Sequence, residues 1–237
     1  MTGGAKAMSN NGMPRVERPE LVLFDWDGTL VDTFPLLFAA HNYVRGELGI
    51  EMWSEAEALK NIRKPAREAF PSMFGDKWEE AVDLYYDYVT KHHLEKIEPL
   101  NGAKELLLLL KKWSVPVGVV SNKKHDLLLK EINHLNWTPL IQNVVGAGQT
   151  KRGKPDPAPL LHAIELFASQ PGGRPESGKK IWYIGDTAED MACALSANIQ
   201  PVFVECGFGQ RNELDRRSVS YIFQNLDLLH KSLEKSQ

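Results

Sequence analysis

Short apolar runs, each cut off by polar residues, recur along the chain. Residues 21–24 run into Asp25, residues 115–120 into Ser121 and Asn122, and residues 141–145 into Gly146, Ala147 and Gly148. Residues 181–184 end at Gly185 and Asp186, residues 201–205 end at Cys206 and Gly207, and residues 221–223 form a shorter sixth run. Runs of this length, bounded by turn residues, predict strands buried on both faces. Helical spacing fills the gaps, over 102–112, 122–135, 157–168 and 187–197. Strands alternating with helices predict an α/β fold, a Rossmann-like, doubly wound parallel sheet. In such sheets ligands bind beyond the carboxyl ends of the strands, near the reversal of strand order. The polar residues that interest us fall at those ends.

One stretch departs from the pattern. From Asp32 to about Ile97 there is no convincing strand. Residues 34–48 read as helix, and Trp78, Val82, Tyr85, Tyr86, Val89 and Ile97 recur at three- and four-residue spacing. That is an amphipathic stripe, read here as the core of a helical insert between Pro35 and Pro99. Residues 169–178, with Pro171, Gly172, Gly173 and Pro175, read as a surface loop. No internal repeat is present.

Composition narrows the class. The 237 residues are 43% hydrophobic and 25% charged, ordinary for a globular chain of one or two domains. The net charge is −3, which gives no global pull toward nucleic acid or an anionic membrane. The leucine run 106–110 falls far short of the ~20 apolar residues of a membrane span. Residues 1–19 are rich in Gly, Asn and Pro without an apolar block, and read as a disordered tail with no secretory signal. Two cysteines, Cys193 and Cys206, offer neither a disulfide framework nor a CxxC pair. They are expected to be small buried hydrophobes in a cytoplasmic protein.

Four polar clusters carry candidate chemistry. The first is Asp25-Trp26-Asp27-Gly28-Thr29, two aspartates at the end of a strand followed by a glycine whose neighbourhood leaves backbone amides free for an anion. One carboxylate is placed to attack and the other to move protons. The second is Ser121-Asn122, where a helix N-terminus would present amides and a positive dipole end. The third is Lys154, just before Pro155. A cation there neutralises a nucleophilic carboxylate and a substrate oxyanion together. The fourth is Asp186 with Asp190 one helical turn on, on the same side. With Asp25 they make an oxygen-rich site for a hard divalent cation, Mg²⁺ above all. Each cluster has a bland alternative: a turn, a helix cap, a solvated loop. Their occurrence in order, each at the tip of a successive predicted strand, outweighs those alternatives.

The same four motifs resemble the haloacid dehalogenase superfamily, and within it the phosphoglycolate phosphatase-like branch. The resemblance covers about residues 21–209. It implies a Mg²⁺-dependent phosphatase that hydrolyses a small phosphorylated metabolite, a phosphoglycolate-like monoester, through an aspartyl-phosphate. It implies Asp25 as nucleophile, Asp27 as general acid and then base, and Gly28, Ser121, Asn122 and Lys154 around the phosphate. The metal would be held by Asp25, Asp186 and the backbone carbonyl of Asp27, with Asp190 in support. The helical insert resembles that family's small cap, which divides the chain into a tail at 1–19, a core at 20–31 and 98–237, and a cap at 32–97. Between two helical stretches of the insert, Arg63 or Lys64 could meet a substrate carboxylate or second anion. His92 and His93 are expected on helix surface and in core, not as a metal pair. A phosphomutase would share all four motifs, and a non-catalytic phosphate-binding regulator would share the fold. A dehalogenase is disfavoured, because such relatives use no metal and lack the paired aspartates. The expected partner is a small phosphorylated molecule, with no nucleic acid and no membrane.

Overall fold

A computed structural model of the chain describes residues 16–62, 66–169, 178–206, 214 and 218–235. Six parallel strands form the main sheet: β1 (Leu21–Phe24), β4 (Val117–Lys124), β5 (Asn143–Ala147), β6 (Ile181–Gly185), β7 (Gln200–Val204) and β8 (Tyr221–Phe223). Their spatial order is β5-β4-β1-β6-β7-β8. The chain steps outward from β1 through β4 to β5, then returns to β6 on the other side of β1. The reversal therefore falls beside β1 and β6, and the residues leaving those two strands meet at the usual ligand position of such sheets.

All four residues of β1 are buried. Leu21 and Leu23 join a core cluster with Val120, Val145, Tyr183 and the apolar stripes of α7 (Ala158–Ala168) and α8 (Ala188–Ser196). Val22 and Phe24, which alternate to the other face, are equally buried, so the sheet is covered on both sides. α5 (Ala103–Lys112) and α6 (His125–His134) complete the crossovers, and α9 (Leu226–Glu234) packs on α5.

The chain falls into two compact units, residues 32–98 and the remainder, so the insert ends one residue beyond the expected edge at 97. The smaller unit holds α1 (Phe34–Glu47), α2 (Glu55–Asn61), α3 (Ala66–Phe74) and α4 (Trp78–His92). α1 and α3 both pack on α4. The stripe on α4 is interior as expected, with Val82, Tyr85 and Val89 buried. His93 is buried, while His92 is half-buried with its Nδ1 3.0 Å from Glu95 Oε2. Two short strands, β2 (Val31–Asp32) and β3 (Glu98–Pro99), pair with each other where the insert begins and ends.

Several expectations are corrected. β4 runs to Lys124 and α6 starts only at His125, so Ser121 and Asn122 lie in a strand and not at a helix N-terminus. Side-chain hydrogen bonds, described below, hold that polar segment extended. β5 lies two residues later than expected. Within residues 16–19, expected as tail, Val16 and Pro19 are buried, and the guanidinium of the exposed Arg18 lies 4.9 Å over the Trp113 ring. Cys193 is buried as expected, but Cys206 is only half-buried.

Candidate active site

The tips of β1 and β6 lie side by side, since Phe24 pairs with Ile184 and the Asp25 amide donates to the Ile184 carbonyl at 2.8 Å. This register brings Asp25 next to Asp186. Asp25, Asp186 and Asp190 are all buried, with one carboxylate oxygen of each lying within 4.8 Å of the others. Thr29 Oγ1 donates to Asp186 Oδ1 at 2.9 Å and so fixes that carboxylate from the first motif.

Lys154 reaches into the same cluster. Its Nζ lies 2.6 Å from Asp25 Oδ1 and 2.6 Å from Asp190 Oδ1. Burial alone would lower the affinity of this ammonium for its proton, but the Asp190 and Asp25 carboxylates outweigh it and hold Lys154 charged well above the usual lysine range. Burial pushes the Asp25 carboxyl up, Lys154 pulls it down, and the charges of Asp190 and Asp186 add to the rise. Three carboxylates face one ammonium here, so the cluster carries an excess of negative charge. Buried, hard oxygen donors with that excess fit a small divalent cation such as Mg²⁺.

Asp190 is heavily bonded. Its Oδ2 accepts the Thr187 amide at 3.1 Å and the Thr187 hydroxyl at 2.6 Å, closing a capping box at the start of α8. Its Oδ1 takes Lys154 and lies 3.2 Å from the Tyr183 hydroxyl. Gly185 is small for a reason: a Cβ there would stand 2.5 Å from Asp190 Cβ and Cγ.

The Lys154 backbone is clamped by Asn122. Lys154 N donates to Asn122 Oδ1 at 2.9 Å, and Asn122 Nδ2 donates to the Lys154 carbonyl at 3.1 Å. Asn122 therefore acts on Lys154 and not on open space. Ser121 Oγ accepts the Lys123 amide at 3.1 Å.

The loop after Asp27 differs from expectation. Its amides are taken up within the turn: Gly28 N donates to the Val31 carbonyl at 2.9 Å, and the amides of Thr29, Leu30 and Val31 all donate to the Trp26 carbonyl. Gly28 adopts φ 79°, the left-handed region that only glycine enters cheaply, and this lets the chain turn back on itself into an Asp27–Val31 bridge. Gly28 thus shapes the turn, and its amide is not free for an anion.

Asp27 contributes no carboxylate to the acidic cluster. Its Oδ1 is paired with Lys123 Nζ at 2.7 Å, and the same ammonium lies 2.7 Å from Glu131 Oε2. Trp26 Nε1 donates to that Glu131 oxygen at 2.6 Å. Lys123, Glu131 and Tyr183 lie at the site but in none of the four sequence clusters, and Thr29, a member of the first cluster, acts there through its hydroxyl. A signal for Glu131 exists, as an acid in the apolar row Leu127, Leu128, Ile132 of α6. Arg63 and Lys64 lie outside the described residues.

Comparison with known proteins fixes the family. Residues 22–204 match the haloacid dehalogenase-like hydrolases. The phosphoglycolate phosphatase of Pseudomonas putida is 26% identical over 89% of this chain and 78% of its own length. The pyrophosphatase PpaX of Bacillus velezensis is 24% identical over 90% of this chain and 96% of its own. A haloacid dehalogenase-like hydrolase of Streptococcus pneumoniae shares the fold, with a TM-score of 0.77, 22% identity, and coverage of 92% of this chain and 99% of that one. The chain belongs to the haloacid dehalogenase-like hydrolase family. It is an enzyme, a phosphatase of that family. Among the described residues no helix is long and apolar enough to cross a membrane.

Proposed function

We propose that the chain hydrolyses a small phosphomonoester of the phosphoglycolate type, using Asp25 as nucleophile and a bound Mg²⁺. The observation that carries this reading is the bridge from Lys154 Nζ to Asp25 and Asp190, each at 2.6 Å, beside the buried Asp25, Asp186 and Asp190 trio. Phosphoryl transfer is governed by positioning and charge neutralisation, and this arrangement supplies both. Asp25, Asp186 and the Asp27 carbonyl would hold the metal. When bound, it would draw charge from the phosphoryl oxygens.

The protein's own residues do the rest. An Asp25 oxygen attacks phosphorus and the bond to the leaving oxygen breaks. The Asp27 carboxyl gives its proton to that oxygen. Asp27 then takes a proton from water as the water oxygen bonds to phosphorus, and the Asp25 carboxylate is released. Lys154 and the Ser121 hydroxyl hold the phosphoryl oxygens. Asp190, through its bonds to Lys154, sets where that ammonium stands. The helical unit of residues 32–98 acts as a substrate-selecting cap.

The names of the relatives divide between a phosphoglycolate phosphatase and a pyrophosphatase, so the test offers both chemistries. Phosphate release with Mg²⁺ is measured on phosphoglycolate, on other small phosphomonoesters, and on pyrophosphate, ranked by kcat/KM. A carboxylated phosphomonoester should lead, and Asp25→Asn should remove turnover while the circular dichroism spectrum stays unchanged. A ranking led by pyrophosphate would overturn the substrate reading. A folded Asp25→Asn with more than a few per cent of the wild-type rate would overturn the nucleophile.

A further inference from the structure

We infer that Lys123 is a positioning residue that aims the Asp27 carboxyl at the leaving group, and that Glu131 and Trp26 hold it there. The inference rests on the acid/base reading of Asp27 given above. Trp26, Glu131, Lys123 and Asp27 form a closed ring. Trp26 donates to Glu131 at 2.6 Å, Lys123 donates to Glu131 and to Asp27 at 2.7 Å each, and the peptide between Trp26 and Asp27 closes it.

The three members other than Asp27 are held by the structure around the ring. The Trp26 side chain is fully buried and meets Trp137 edge-on, with centroids 5.8 Å apart. Glu131 is wholly buried in α6. Lys123 comes from the polar end of β4, where the pairing with β5 shifts register between Val120 and Lys124. Irregularities of this kind re-aim a side chain. Here the shift accompanies a lysine whose side chain is only 7% exposed, against 24% for Asp27. The buried ammonium grips one carboxylate oxygen of Asp27, and the side chain retains access to solvent.

An aspartate with two torsions loses efficiency when it swings freely. A misplacement of ~1 Å in a reacting group costs up to about 10²-fold. Lys123 removes that freedom. Its ammonium pairs with Asp27 and Glu131, whereas Asp25 pairs with Lys154, so its effect should follow the proton demand of the leaving group.

The test compares wild type with Lys123→Met, a neutral side chain of similar length, in single-turnover phosphoenzyme formation. The substrates are para-nitrophenyl phosphate, whose leaving group needs little protonation, and a simple alkyl phosphate. The loss should approach about 10²-fold with the alkyl phosphate and stay under about threefold with para-nitrophenyl phosphate. Lys123→Arg should recover most of the alkyl rate. Lys123→Met leaves Glu131 buried without its cation. If that variant fails to fold, Lys123→Met with Glu131→Gln replaces it, since glutamine keeps an acceptor for Trp26 Nε1. Equal losses on both substrates, or no loss on the alkyl phosphate, would overturn the inference. Asp27→Asn run alongside separates the two claims. If it shows the leaving-group split and Lys123→Met does not, only the positioning role falls. If Asp27→Asn shows no split, the acid/base reading falls and takes the positioning role with it.

Discussion

Acidification should weaken the helical unit through one side chain, His41. The ring is 3% exposed and is enclosed by Trp53, Phe70 and Tyr85, each with its centroid 5.3 Å away. Nδ1 is buried without a hydrogen-bond partner. Burial, and then the charge of Arg45, hold the imidazole neutral and lower its pKa from 6.5 to about 4. Above pH 6.5 the ring is neutral whether the chain is folded or not, and the folded state loses nothing. Between 6.5 and 4 the unfolded chain takes up a proton that the folded ring refuses, so stability falls with pH. Below 4 the loss is complete. At about 1.4 kcal/mol per pH unit, the loss from this group is roughly 2 kcal/mol by pH 5 and roughly 3 kcal/mol by pH 4. The assay is urea unfolding at pH 7, 6 and 5, followed by tryptophan fluorescence, for wild type and His41→Phe. Phenylalanine fills a similar space and cannot titrate. Titrations common to both proteins cancel, so the difference between them should change by roughly 2 kcal/mol from pH 7 to pH 5. Parallel pH profiles for the two proteins would refute the reasoning.

Other expectations follow from single contacts. Gly185→Ala drives a Cβ into Asp190, 2.5 Å from its Cγ; the shifted carboxylate loosens Lys154, and kcat should fall at least about tenfold in a folded protein, read by steady-state kinetics. Gly153→Ala places a Cβ 2.5 Å from Asn122 Oδ1 and should break the clamp on the Lys154 backbone, with a similar loss of activity. Millimolar Mg²⁺ should raise the melting temperature of the wild-type protein, because a cation that binds only the folded state stabilises it, and Asp186→Asn should abolish that rise in calorimetry. Thr187→Ala removes the cap of α8 and should cost about 1 kcal/mol in urea unfolding.

The sheet is legible in the sequence because its central strands are buried on both faces, and such strands must be written as short apolar runs. The strand ends are less so. Residues 121–124 look like the start of a helix, yet Asn122 bonds the Lys154 backbone and Lys123 bonds Asp27 and Glu131. Those partners lie in other parts of the chain, and no local pattern contains them. The Gly28 amide misleads for the related reason that its acceptor, Val31, exists only once the turn has closed. The final helix differs in kind. Leu226, Leu229 and Leu233 carry the helical spacing and Asn225 caps it, so its pattern is present in the sequence but lies beyond the last apolar run. Within the insert, the helix carrying Pro71 has an interior proline, which masks a helix from propensity arguments.

Two aspartates that are chemically identical and two residues apart are held by two different lysines, and the proposed mechanism gives them different tasks. Lys154 ties Asp25 to Asp190 of α8, and Lys123 ties Asp27 to Glu131 of α6. In both cases the lysine spans one aspartate of the first motif and one fully buried acid supplied by a helix. On the proposed mechanism the helix acid would keep each ammonium in place when its partner aspartate changes charge or bonding. The environments then diverge. Asp25 shares its cluster with Asp186 and Asp190, and its side chain is 7% exposed. Asp27 faces a single ammonium and is 24% exposed. These environments suit the proposed roles: a carboxylate hemmed in by like charges and a lysine suits attack and a cation, whereas one that keeps contact with solvent suits exchanging protons with a leaving group and with water. Breaking such a buried pair from one side leaves an uncompensated charge, so each lysine depends on its helix acid as much as the aspartate depends on the lysine. By this argument Glu131 matters to Asp27 as Asp190 matters to Asp25.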